Sequence, residues 1–90
     1  AKMINTQVRL AIIKILYRLD GVPLREETLK AELEIAVATP LTTTEYQQTM
    51  AALVEQGLCF KTHDDLLNED TYSLSFTGRE AAKKYAKSHF

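Results

Sequence analysis

No stretch of this 90-residue sequence approaches the ~20 apolar residues that a membrane-spanning helix requires. The best candidate, LAIIKIL at 10–16, is broken by Lys14. The first residues lack the charged, apolar and small-residue segments of a signal peptide. Cys59 is the one cysteine and has no second thiol in the chain to pair with, so a reducing cytoplasm is the expected setting and no membrane the expected partner. Repeats and low-complexity tracts are absent too. So are a glycine-rich phosphate loop and a pair of histidines one helical turn apart. A Cys59 pairing with His63 or His89 has no third group to orient it, and no enzyme is expected. His63 sits among Asp64, Asp65, Glu69 and Asp70, but that loop lacks the spacing and the glycine of a calcium loop. Neither a metal nor a cofactor is expected.

Positive charge is missing from the middle third. Residues 31–60 hold four acidic side chains and no lysine or arginine. Residues 1–30 hold six basic and three acidic groups, and residues 61–90 hold five of each, for a net charge of −1. Any cationic face must therefore be assembled from the two ends of the chain. A content of 46% hydrophobic and 26% charged residues is that of an ordinary globule, and the length suits a single domain over 1–90.

Periodicity supplies the elements. A first helix is expected over 5–19, with Asn5 as N-cap and Gly21 just past its end. Ile4, Val8, Ala11, Ile12, Ile15, Leu16 and Leu19 form one apolar stripe on it. Leu10, Ile13 and Tyr17 form a second, flanked by Arg9, Lys14 and Arg18. The second stripe is to be covered either by the last helix or by the same helix of another copy, and a homodimer interface is the favoured reading. GVPL is a turn into a short extended piece, because a residue before proline is pushed out of the helical region. A second helix is expected over 25–38, with Glu26 and Glu27 in its first turn and Leu29, Leu33 and Ala36 or Val37 facing inward; Thr39-Pro40 ends it. Thr42-x-x-Glu45 is a capping box for a third helix that buries Tyr46, Met50, Leu53 and Val54 and stops at Gly57.

After Gly57 the period becomes alternating. LCFKTH and TYSLSF are expected strands, with Tyr72, Leu74 and Phe76 on one face and Ser73 and Ser75 on the other, joined by the loop DDLLNED. Thr77-x-x-Glu80 is a second capping box, opening a last helix through Ala81, Ala82, Tyr85 and Ala86 with Lys83, Lys84 and Lys87 exposed. The fold class is α+β, mainly α, in the order helix-strand-helix-helix-strand-strand-helix.

That order resembles a winged helix-turn-helix. MAALVEQGLCF is similar to the superfamily's third helix entering the wing, through Met50, Leu53, Gly57 and Leu58. YSLSFTGREAAKKY resembles the second wing strand and closing helix of the MarR- and PadR-like regulators. The resemblance implies binding of double-stranded DNA, with the third helix in the major groove and the wing along the backbone. Carried over by position, Thr43, Thr44, Gln47, Gln48 and Ala51 would read bases, since glutamine pairs with adenine and small apolar groups touch the thymine methyl. Arg25, Lys30 and Lys61 would hold phosphates, with Lys2 and Arg9 reaching from the first helix. Departures point elsewhere. Glu45 and Glu55 lie near the reading face, and Asp64, Asp65, Glu69 and Asp70 stand where such wings usually carry cations. Leu66 and Leu67 mark the loop tip, an odd place for two leucines in water unless they fold back on the domain. The alternative is a winged helix used for protein assembly, its acidic middle meeting a basic protein partner.

Overall fold

The computed structural model describes residues 2–19, 21–38 and 40–86, and the side chains of 6–19, 21–38 and 40–85. Helix α1 spans Lys2–Arg18, strand β1 Leu24–Arg25, helix α2 Glu26–Val37, helix α3 Thr43–Glu55, strand β2 Cys59–Asp64, strand β3 Glu69–Leu74 and helix α4 Phe76–Ala86. Among these helices none is long and apolar enough to cross a membrane.

Helix α1 is the central element and touches α2, α3, β3 and α4. It is already helical at Lys2, so Asn5 lies inside the helix and is not its cap. Val8, Ile12, Ile15 and Leu16 are buried as their spacing requires. Ile13, placed by the helical wheel on an outer stripe, is only 3% exposed and belongs to the core of the single chain. With neighbours packed on several sides, α1 buries an arc wider than one apolar stripe. Leu10 and Tyr17 stay half-buried, Tyr17 against the core. The expectations on Lys2, Ile4, Ala86 and Lys87 concern side chains outside the described residues. Gly21, at φ +88°, adopts the left-handed conformation that turns the chain toward β1.

Helix α2 buries Leu29 and Leu33 and sets Val37, rather than Ala36, against the core. Ala38, at φ +56°, takes the left-handed capping position and donates its N–H to Ile35. Helix α3 starts with the expected capping box, Glu45 N–H to Thr42 Oγ1 at 3.1 Å and Thr42 N–H to Glu45 Oε1 at 3.1 Å. It ends in a paired cap at Gly57, φ +76°: Gly57 N–H bonds Val54 O at 3.0 Å and Leu58 N–H bonds Leu53 O at 3.0 Å.

The three strands form one antiparallel sheet in the order β1-β3-β2, with Leu24 opposite Tyr72 and Cys59 opposite Leu74. The hairpin extends further than alternation implied. Asp64 pairs with Glu69, which leaves a tip of only four residues, 65–68. Asp64 Oδ1 closes that tip by accepting the N–H groups of Leu66 (2.9 Å) and Leu67 (3.2 Å), while Asn68 takes φ +54°. Leu66 does not fold back and is 92% exposed.

Strand β3 stops at Leu74, so Phe76 is not its third inward residue but an exposed side chain in the first turn of α4. The cap of α4 is Ser75, two residues before the expected Thr77. Its Oγ accepts the N–H of Gly78 at 2.9 Å and its hydroxyl donates to Gly57 O at 2.6 Å, in a buried position. Ser75 thus joins the exit of α3 to the entry of α4. Ser75→Ala removes a helix cap and strands a carbonyl, a loss of about 2–3 kcal/mol. A thermal melt followed by circular dichroism should fall by roughly 10–20 °C. Thr77→Ala should leave the melt nearly unchanged; an equal loss there would return the cap to Thr77.

Candidate nucleic-acid interface

The local chemistry of α3 separates its two sides. Tyr46, Thr49, Met50 and Leu53 recur at helical spacing and are buried. Thr49 was not legible as a core residue, but its hydroxyl donates to Glu45 O at 2.8 Å and so enters the core with its polar atom satisfied. Burial pushes the Tyr46 hydroxyl far above its ordinary range and that of Tyr72 up to about 12, so both are neutral anchors. On the opposite side Thr43, Thr44, Gln47, Gln48 and Ala51 are all exposed. The turn before α3 is tied down where Leu41 N–H donates to Glu34 Oε2 at 3.1 Å. The helix therefore presents a rigid surface of amides and hydroxyls without a cation, with the exposed Glu55 at its C-terminal end.

The acids of this region are not all loose. Glu45 is held below the usual carboxylate range by the Thr42 backbone N–H, then by the Thr42 hydroxyl. It caps its own helix.

The expected phosphate contacts are differently placed. Arg25, at the start of α2, forks onto Glu69 of the wing, with Nε to Oε2 and Nη2 to Oε1 both at 2.6 Å. That hydrogen bonding raises the arginine's pKa and lowers the glutamate's. Lys61 Nζ lies 3.5 Å from Asp70 Oδ2. His63 Nδ1 donates to Asp70 Oδ1 at 2.9 Å, the contact that most lowers the Asp70 pKa. Lys30 stands half-buried on α2, and so does Arg9 on α1. Lys61 lines the α3–wing cleft and Arg25 does not, and each already faces a wing carboxylate. These pairs are exposed, and exposed ion pairs are weak enough to exchange one anion for another.

Between α3 and the wing lies a cleft of about 530 Å³, with Met50, Val54 and Tyr72 inside it and Glu26, Glu55, Asp70 and Lys61 around it. Gln47 and Ala51 form part of its α3 wall. Among the described residues no three histidine, cysteine, aspartate or glutamate side chains converge as a metal would require. Cys59 is buried in the core, and burial pushes its thiol up to about 11, which leaves it protonated and unreactive at neutral pH.

No protein-family model matches the sequence, nor does any curated protein. Solved structures do match in three dimensions, among them the following two. The structure of H. salinarum RosR grown from NaBr superposes with a TM-score of 0.76 at 20% identity, over 89% of this chain and 69% of RosR. The complex structure of H. salinarum RosR-S4 superposes with a TM-score of 0.75 at 20% identity, over 88% of this chain and 65% of that one. The fold is a winged helix-turn-helix. At this identity the likeness is one of fold. In that winged helix α2 and α3 are the helix-turn-helix pair and β2–β3 is the wing. The turn joining the pair runs from Ala38 to Thr42, longer than the usual one.

Proposed function

We propose that this chain is a DNA-binding winged helix of the MarR- and PadR-like regulatory kind, reading duplex DNA through α3. The observation that carries the reading is the exposed face of Thr43, Thr44, Gln47, Gln48 and Ala51 on a helix whose other side is locked into the core. Amides and hydroxyls discriminate base edges without any positive charge. The backbone grip is small. Arg25 and Lys61 would leave Glu69 and Asp70 for phosphates, with Lys30 as the third cation, and the acidic wing would stay off the DNA.

Each phosphate neutralised contributes roughly −0.9 to the slope of log affinity against log salt, so three cations give a slope of about −3. Fluorescence anisotropy of labelled duplexes across a salt series is the test. Binding at low salt with that shallow slope supports the reading. No binding at low salt, beside a known binder as control, overturns it.

The α3–wing cleft favours a second reading, a protein-interaction module. Glu26, Glu55 and Asp70 around an apolar interior, against Lys61 alone, suit a basic segment carrying one apolar side chain. Under that reading the duplex titration is blank, while a lysine- and arginine-rich peptide binds the cleft and is weakened by Glu26→Gln with Glu55→Gln.

A further inference from the structure

Strand β3 begins with two acids, Glu69 and Asp70, and successive residues of a strand face opposite sides of its sheet. On one side Glu69 takes Arg25 through both Nε and Nη2, each at 2.6 Å. On the other, Asp70 accepts from His63 Nδ1 at 2.9 Å and lies 3.5 Å from Lys61 Nζ. The remaining wing acids do different work. Asp64 closes the turn through the N–H groups of Leu66 and Leu67, and Asp65 stands in water with its side chain 99% exposed. Two carboxylates at the head of β3 therefore face the cations that a duplex would need. A carboxylate and a phosphate offer an arginine fork the same paired acceptor oxygens.

We propose that the wing is an autoinhibitory element, in which Glu69 and Asp70 stand in for DNA phosphates at Arg25 and Lys61. A duplex grips the protein only by displacing them. This rests on the DNA reading above and adds to it the contact that sets how tightly any duplex is held.

The contacts have the strength of a device that opens. The Arg25 and Lys61 side chains are 53% and 51% exposed, so water reaches both pairs. Exposed pairs of this kind shift an equilibrium by no more than about fivefold each. Hydrogen bonding from Arg25 holds the Glu69 pKa down, and bonding from His63, foremost, holds down that of Asp70. Neither acid leaves by taking up a proton at neutral pH, and the exchange is of one anion for another. Phosphates are the same on every sequence, so the wing lowers affinity for all duplexes alike. The base contacts of α3 then decide which duplex stays bound.

The experiment is fluorescence anisotropy at low salt with a duplex selected from a random pool and a mixed-sequence duplex. Glu69→Gln and Asp70→Asn keep the shape of each side chain and remove its charge. Each should tighten both duplexes about threefold, and the two together about tenfold, since they hold different partners. Circular dichroism checks the fold, and partial unfolding lowers affinity, so it does not imitate a gain. A carboxylate also repels phosphate without touching any cation, and two controls separate that effect. Asp65→Asn, an equal change of charge at the tip, should leave affinity nearly unchanged. In an Arg25→Gln background, Glu69→Gln should lose its effect, because the cation it released is gone.

Unchanged affinity in both wing variants would overturn the autoinhibition. So would a gain from Glu69→Gln that persists without Arg25, or an equal gain from Asp65→Asn. In each of those cases wild-type binding leaves α3 reading intact. A blank titration for the wild type and every variant, beside a known binder as control, removes both proposals together.

Discussion

Gly78→Ala is expected to destabilise the fold by about 3 kcal/mol or more, although helix propensity alone predicts a gain of about 1 kcal/mol. Gly78 lies in the first turn of α4, where alanine is ordinarily the better residue. Its α-carbon, however, sits beneath the backbone exit of α3. A β-carbon there would stand 2.1 Å from Leu58 O and 2.9 Å from Leu74 Cδ1. Leu58 O cannot give way cheaply, since it accepts the Ser75 N–H at 3.0 Å and continues the β2–β3 ladder. Either α4 lifts off the sheet or the ladder opens. The melting temperature should fall by roughly 12–24 °C, measured by circular dichroism, with urea unfolding to confirm the free energy. Gly21→Ala and Gly57→Ala provide the contrast. An added β-carbon meets nothing within 4 Å at either site, so their cost is only that of a left-handed backbone, about 1–2 kcal/mol. If Gly78→Ala were neutral or stabilising, the close approach of α4 to Leu58 would be wrong.

Replacing Gln47 and Gln48 together by alanine is expected to cost about 100-fold or more in affinity for a duplex selected from a random pool. A well-formed paired contact between an amide side chain and a base edge is worth ~1–3 kcal/mol of discrimination, and two such side chains are removed. Both are exposed and alanine is a better helix former, so the double variant should melt no lower than the parent. Its affinity for mixed-sequence duplex should barely change, because that part comes from phosphates. Arg25→Gln should behave in the opposite way, weakening every duplex alike and flattening the salt slope by about 1. Unchanged affinity in the glutamine double variant would remove α3 as the reading element.

The elements that sequence made legible share a physical cause. The Thr42–Glu45 capping box, the left-handed Gly57 and the Tyr46-Met50-Leu53 spacing all depend on residues within one or two helical turns of each other. Such interactions are set by local backbone geometry and need no knowledge of the rest of the chain. The order of helices and strands, and the amide and hydroxyl face of α3, could be read on those terms.

Tertiary structure decided what depends on register and enclosure. Arg25 meets Glu69 across 44 positions only because β1 pairs with β3, and that pairing turns an expected phosphate contact into a wing salt bridge. Ile13 is core because α1 has neighbours on several sides, which no single helical wheel can reveal. Ser75 rather than Thr77 caps α4 because its hydroxyl also reaches Gly57, eighteen residues away in sequence. Local geometry determined that a third helix with this face exists. Which cations stand beside it, and what already holds them, followed from contacts that form only once the sheet closes.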